Sequence, residues 1–393
     1  MKINILSLFD GISIAQQALK QSGISVNKYY ASEIDKYAIS ITQKNFPDTI
    51  QVGSVVDLKG KDFKDIDLII GGSPCQNLSI AKKNREGLKG EQSKLFYDFV
   101  RLVKEVKPKY FILENVASMA KDQKAIMEKE LFGIEAVMIN AALVSAQNRK
   151  RIFIIGKRIG DTYEKVEILQ PEDRGILLKD ILEKKVDEKY KVKNLKGDTE
   201  KAVALSASSY KGYGNDGVTT IRVGQFNKGG QGNRVYSDEG KSVSLSANGG
   251  GGGAKTGLYA INSKKIILGD EKLQVLKEGR TEKGKQSKKE IREKTGKDST
   301  LRSKEHKAYF GREGIKSNYL TTGLGVEGQI VKDFKIRKLT PIECERLQSL
   351  PEYFTAKGIT EKGEVDISNS QRYKTLGNGF NCKVVAYIIN NIF

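Results

Sequence analysis

Apolar positions in the first 157 residues fall into short continuous runs, separated by stretches with helical periodicity. The runs Ile3-Asn4-Ile5-Leu6-Ser7-Leu8-Phe9 and Ile66-Asp67-Leu68-Ile69-Ile70 read as strands buried on both faces. The same reading predicts strands near 3–9, 27–32, 49–53, 66–71 and 109–113, with helices between most of them. That alternation is the pattern of an α/β protein with a doubly wound parallel sheet. Two further strands, near 136–143 and 151–157, are joined by a short link and are expected to pair antiparallel.

From about residue 166 the character changes: long apolar runs disappear and Gly-, Ser- and Lys-rich segments take over. A weak repeat runs through Ala202–Ala207, Ser242–Gly249 and Ser317–Gly323, each a short alternating strand pattern, and this predicts a second, smaller β-rich domain. Gly249–Gly253 is a loop of five glycines, and the polar, Lys-rich stretch of about 277–307 is read either as a solvated helical insertion or as a polyanion contact. Helical pattern returns at Thr340-Pro341, an N-cap followed by Pro at the first helical position, and at the apolar run Lys383–Ile389, expected to dock on the first domain. The expected division is therefore 1–165, 166–333, and 334–393 completing the first domain.

Charge narrows the partners. The 393 residues carry 68 Lys and Arg against 48 Asp and Glu, a formal net charge of +20. So basic a balance points to a polyanion, nucleic acid ahead of a membrane surface. No run approaches the roughly 18 apolar residues of a membrane span, and the N-terminal stretch looks like a first strand rather than a signal peptide. Three widely spaced cysteines (Cys75, Cys344, Cys382) form no CxxC pair, which argues against a disulfide framework or a metal site and fits a reducing cytoplasm. The single histidine, His306, lies in a polar stretch, so histidine triads and multi-histidine metal sites are excluded. Chemistry here must run on Cys, carboxylates and Arg.

Two strand ends carry it. Gly71-Gly72-Ser73-Pro74-Cys75-Gln76 places a cysteine just past the carboxyl end of one strand, and Leu113-Glu114-Asn115-Val116 places a carboxylate at the end of a later one. One helical crossover separates the two strands, so they are expected to be neighbours about 5 Å apart. Phe9-Asp10-Gly11-Ile12 forms the first strand-to-helix turn, and Glu33 ends the second strand, where a carboxylate can bind ribose hydroxyls. Alternation sends Arg149 and Arg151 of Gln147-Asn148-Arg149-Lys150-Arg151 to one face.

In this order, Phe-x-Gly, Pro-Cys-Gln, Glu-Asn-Val, Gln-x-Arg-x-Arg, Arg337-Lys338-Leu339-Thr340 with Glu343, Arg346 and Gln348, and finally Gly377-Asn378 resemble the DNA (cytosine-5) methyltransferases of bacterial or phage restriction-modification type. The resemblance covers both ends of the chain and implies a Rossmann-like sheet that binds S-adenosylmethionine, with residues 166–333 in the position of a target-recognition domain. It implies Cys75 as the nucleophile that adds to C6 of a flipped-out cytosine, Glu114 as the acid at N3, Arg149 as the residue orienting acid and ring, and Arg151 as the contact to the base carbonyl. It places Phe9, Asp10, Gly11, Ile12, Glu33, Ile34, Ser54, Val55, Pro74, Leu95 and Asn378 at the methyl donor. Gln76, Ser79, Arg222, Gln225, Gln231 and Arg234 are the corresponding candidates for contact with double-stranded DNA. Two positions depart from the family pattern: Ser13 stands where relatives often have glycine, and Ser54 where an Asp usually meets the adenine amine, with Asp57 as the substitute to consider. The implied protein is a cytoplasmic monomer of a bacterial or phage-infected cell, with no metal and with a restriction endonuclease as a genetic partner. An RNA (tRNA) cytosine-5 methyltransferase and a catalytically silent DNA-binding relative are the competing readings.

Overall fold

Residues 2–8 alternate little and bury nearly every side chain, as a central parallel strand must when helices cover both its faces. In the computed structural model, which describes residues 2–74, 91–190, 222–225, 234–245, 257–261, 274–280, 307–313, 329–330 and 335–393, this segment is strand β1 (Lys2–Leu8). It is followed by α1 (Ile14–Gln21), β2 (Ser25–Ser32), α2 (Lys36–Asn45), β3 (Ile50–Gln51), β4 (Leu68–Gly72), α3 (Glu91–Val106), β5 (Tyr110–Val116), α4 (Lys121–Glu130), β6 (Val137–Asn140), β7 (Gln147–Asn148), β8 (Lys150–Ile159) and β9 (Thr162–Lys165).

The strands assemble in the order β3-β2-β1-β4-β5-β8-β6, with β9 paired to β8. Strands β1 to β5 run parallel, whereas β8 is antiparallel to β5, β6 and β9, so the sheet is mixed. The chain winds outward from β1 in both directions, which opens a crevice at the carboxyl ends of β1 and β4. One core cluster joins Leu6, Leu8, Ile69, Phe99, Phe111, Leu113 and Ile154 across the sheet.

Contacts divide the chain into two units. The first comprises Met1–Lys184, Lys241–Thr256 and Leu339–Phe393; the second comprises Lys185–Gly240 and Gly257–Lys338. The first unit is closed by α5 (Pro341–Leu347), α6 (Asn369–Asn378) and α7 (Cys382–Ile392). Thr340 and Glu343 form a capping box at the start of α5, with Pro341 in the first turn. The apolar face of α7 is buried against α1, where Ser22 Oγ donates to the Ala386 carbonyl. Within the second unit, Arg222–Gln225, Arg234–Ser237, Leu258–Ile261 and Lys335–Arg337 form a four-stranded sheet, and Gln274–Arg280 pairs with Lys307–Glu313 and Gln329–Ile330.

Gln274–Arg280 and Lys307–Glu313 pair antiparallel, Lys277 opposite Phe310, so the two ends of the Lys-rich stretch are strands; its body, 281–306, where a helical insertion is expected, lies outside the described residues. One expectation changes here. The second copy of the repeat belongs to the first unit, not to the β-rich domain: Ser242–Val243 pairs in parallel with β7. The first and third copies, Ala202–Ala207 and Ser317–Gly323, lie outside the described residues.

Candidate active site

Register aligns the chemistry. Leu8 pairs with Ser32 on one side and Gly71 on the other, Gly72 pairs with Glu114, and Val116 pairs with Arg151. The residues that follow these pairs therefore meet at one sheet edge around a cavity of about 320 Å³. Its wall includes Phe9, Asp10, Gly11, Glu33, Ile34, Ser54, Val55, Pro74, Leu95, Glu114, Arg149, Arg151 and Asn378. Ile12 is buried and stands off this wall. Sequence reading missed Ser32, Asp35, Ala38, Thr375 and Phe380 as lining residues; Ser32 and Asp35 flank Glu33-Ile34, and Thr375 and Phe380 flank Gly377-Asn378, whereas Ala38 had no motif beside it.

The turn after β1 is a strained one. Phe9, Gly11 and Ser13 all have left-handed backbones, with φ of 55°, 61° and 54°. A glycine at position 13 would adopt this conformation freely; Ser13 offsets the cost by donating its hydroxyl to the Asp10 carboxylate. Asp10 also accepts from Tyr29 Oη at 2.7 Å. Burial pushes the Asp10 carboxyl up to about 6, against hydrogen bonds from Ser13 and Tyr29 that pull it down.

Glu33 is held rigidly. Its carboxylate accepts from three backbone N–H groups, Gly11 at 2.8 Å, Ile34 at 2.7 Å and Asp35 at 2.8 Å. Next to it, Ile34 is an apolar side chain left 78% exposed on the cavity wall, a ready platform for a flat ring. Ser54 caps a short 3-10 turn by accepting from Val56 N at 3.4 Å. Ser54 lines the cavity, whereas Asp57 is exposed and off its wall.

Glu114 faces the cavity from the end of β5. Arg151 Nε meets its Oε1 at 2.7 Å, both side chains being more than four-fifths buried. The arginine beside the acid is thus Arg151, not Arg149. Arg149 is 3% exposed and spans the site's rear: its Nη1 donates to Ser244 Oγ at 3.2 Å and the Leu245 carbonyl at 3.1 Å, its Nη2 to the carbonyls of Gly377 at 3.1 Å and Gly379 at 2.8 Å. These last two are carbonyls at the C-terminus of α6, where a guanidinium satisfies orphan acceptors and the negative end of the helix dipole.

Gly72 leaves room for Glu114. A Cβ there would lie 2.9 Å from Glu114 Oε2 and 2.9 Å from Phe380 Cε1. Asn115, buried beside it, donates its side-chain N–H to Ser73 O at 3.3 Å and Ser73 Oγ at 3.1 Å, which ties the end of β4 to β5 just ahead of Pro74. Cys75, Gln76, Ser79 and Gln231 lie outside the described residues. Arg222 and Gln225 are at the two ends of one strand and Arg234 begins the strand paired with it, in the second unit. Burial pushes the Cys344 thiol far above its ordinary value and the Cys382 thiol up to about 12. Neither lines the cavity. Among the described residues no cluster of His, Cys, Asp or Glu has the makings of a metal site, and no helix is long and apolar enough to cross a membrane.

Sheet order and cavity define a doubly wound α/β protein with a carboxylate–arginine pair beside its switch-point crevice. The family model of C-5 cytosine-specific DNA methylases matches residues 3–393, and the chain belongs to that family. Over its whole length it is 26% identical to the orphan methyltransferase M.SPRI of Bacillus phage SPR, covering 97% of that protein. It is 30% identical to the type II methyltransferase M.HhaI of Haemophilus parahaemolyticus over 67% of this chain and 79% of that one. Among solved structures, a DNMT2 mutant from Spodoptera frugiperda superposes with a TM-score of 0.57 at 18% identity, covering 99% of both chains, a likeness of fold.

Proposed function

We propose that this enzyme transfers a methyl group from S-adenosylmethionine to C5 of a flipped-out cytosine in a short duplex DNA sequence, through a covalent bond between Cys75 and C6. The observation that carries the reading is that one cavity holds both the Glu114–Arg151 pair and the fixed Glu33 carboxylate, and that Pro74, the residue before Cys75, is on its wall.

The donor set suits the methyl donor. After accepting three N–H bonds, two on Oε1 and one on Oε2, Glu33 retains about one lone pair, on Oε2, for a ribose hydroxyl. Ile34 and Val55 supply apolar surface for an adenine, Ser54 an acceptor for its amine, and Phe9 to Gly11 and Asn378 the surroundings of the amino-acid part. When bound, S-adenosylmethionine supplies an electrophilic methyl group.

Everything else is done by the chain. Cytosine C5 is a poor nucleophile until a thiolate adds to C6; Cys344 and Cys382 are buried in α5 and α7 off the cavity wall, and Cys75 follows Pro74, which is on that wall, so Cys75 is the thiol assigned this role. During that attack Glu114 gives a proton or a hydrogen bond to N3 and so drains negative charge from the ring. Arg151 holds Glu114 in place and presents further N–H groups to the base carbonyl. After methylation the C5 proton is lost to a base, the C6–S bond breaks, and Cys75 leaves as the thiolate while the ring regains its double bond.

On this reading the second unit is the β-rich target-recognition domain, with Arg222, Gln225 and Arg234 among its base or phosphate contacts, and the basic excess makes binding fall with salt. Incubation of the purified protein with S-adenosylmethionine and unmethylated genomic DNA, followed by bisulfite mapping, is the test. Protection of cytosines in one or a few sequence contexts is the expected outcome. Transfer to tRNA alone, or none with DNA binding intact, overturns it.

A further inference from the structure

Lys241 is the first residue of a segment that leaves the second unit at Gly240 and belongs to the first from 241 to 256. It is 3% exposed, an unusual situation for a lysine. Its Nζ donates to the carbonyls of Ile176 at 2.5 Å, Ala142 at 2.8 Å and Ser145 at 3.4 Å, and faces Asp173 Oδ1 at 3.7 Å. Three carbonyls and one half-exposed carboxylate make a socket that only a long cation fills.

The turn it grips is the one that leads to Arg149. On the turn's other side, Asn140 Oδ1 accepts from Ala142 N at 3.1 Å and Arg149 N at 3.0 Å, while Ala141 N donates to the Arg149 carbonyl at 3.0 Å. From Lys241 onward the chain runs alongside this turn in register: Ser242 N donates to Ala146 O at 2.7 Å, and Ser242–Val243 pairs with Gln147–Asn148. The next two residues, Ser244 and Leu245, supply the oxygens that Arg149 Nη1 holds, and Nη2 of the same guanidinium holds the carbonyls on either side of Asn378.

Resting on the function proposed above, we propose that Lys241 is a positioning residue for methyl transfer: anchoring its segment to the 141–146 turn presents Ser244 and Leu245 to Arg149, which in turn sets the Gly377–Gly379 corner of the active-site cavity.

The test uses full-length Lys241→Met and Ser244→Ala, each compared with wild type for S-adenosylmethionine-binding stoichiometry, kcat per donor-binding site, KM for unmethylated DNA, and amide exchange at 377–380. Expected for Lys241→Met is unchanged stoichiometry, kcat per site lowered about ten- to hundredfold, and faster exchange at 377–380. Ser244→Ala should show a smaller loss of the same kind, and the double variant should lose less than the product of the two losses. A purely structural lysine would lower the fraction of donor-binding sites and leave kcat per site and exchange at 377–380 at wild-type values; that result overturns the proposal. If Lys241→Met does not fold, Ser244→Ala decides alone, and wild-type kcat per site in that variant is equally fatal. A wild-type protein that methylates no DNA cytosine would instead defeat the functional reading itself, so the two failures are separable.

Discussion

Arg151 and Glu114 meet across adjacent antiparallel strands, Nε to Oε1 at 2.7 Å, at the mouth of the cavity that also holds Glu33. Strand register explains the contact. Arg151 is paired with Val116, and Glu114, two residues back along β5, projects from the same face within diagonal reach. Glu114→Gln keeps the shape and removes the proton, so kcat should fall by about 10²–10⁴ while S-adenosylmethionine affinity stays at the wild-type value. Single-turnover methylation together with calorimetric titration of the donor separates the two quantities, and equal losses in both would contradict the assignment.

Ser54 offers a neutral hydroxyl where a carboxylate would bind an amine more strongly. Ser54→Asp should tighten S-adenosylmethionine binding about five- to tenfold, the difference between a neutral and a charge-assisted hydrogen bond. Isothermal titration gives the Kd directly, and an unchanged or weakened Kd would remove Ser54 from the adenine side of the cavity.

The Asp10 carboxyl, raised by burial to about 6 from 3.8, makes stability depend on pH. Between these two values the folded state holds a proton that the unfolded state has released, so stability falls as pH rises through the window and the full penalty stands above pH 6. Its size is on the order of 3 kcal/mol. Urea denaturation at several pH values should show Asp10→Asn gaining on wild type by roughly this amount from pH 4 to pH 7. A parallel pH dependence in the two proteins would show that Asp10 titrates normally.

Cys344 and Cys382 are buried with raised thiols and so are inert to alkylation in the folded protein. Iodoacetamide at pH 8 should modify Cys75 alone in native protein, and all three cysteines in denaturant. S-adenosylmethionine and DNA together should slow the native reaction. Modification of Cys344 or Cys382 ahead of Cys75, read by peptide mass, would contradict this.

Much of the sheet was legible because parallel strands need both faces apolar. The runs at 3–9, 66–71 and 109–113 correspond to β1, β4 and β5, and the prediction that β4 and β5 are neighbours agrees with the pairing of Gly72 with Glu114. The carboxyl ends of the strands were legible too, since Glu114 closes the apolar run Phe111–Leu113 near the end of β5 and Glu33 directly follows β2. The division of labour between Arg149 and Arg151 was not. Alternation places both on one face, and only the long-range return of α6, 228 residues later, shows that Arg149 holds carbonyls rather than the acid. The departure at Ser13 was legible, since it stands where the family pattern often has glycine, but the left-handed angle behind that preference shows only in the structure. Nor does the repeat at 242–249 differ from its neighbours in pattern; its place in the first unit shows only in the pairing of Ser242–Val243 with β7 and the contacts of Lys241.

The most direct test of the covalent mechanism is trapping on duplex DNA carrying 5-fluorocytosine at the mapped target site, with S-adenosylmethionine present. Fluorine at C5 cannot leave as a proton does, so the enzyme should remain bound to C6 as a complex stable to detergent, with the DNA attached to the peptide containing Cys75. Cys75→Ser should give no such complex. Methylation of normal DNA without trapping on the fluorinated duplex, or attachment at any other residue, would contradict the mechanism.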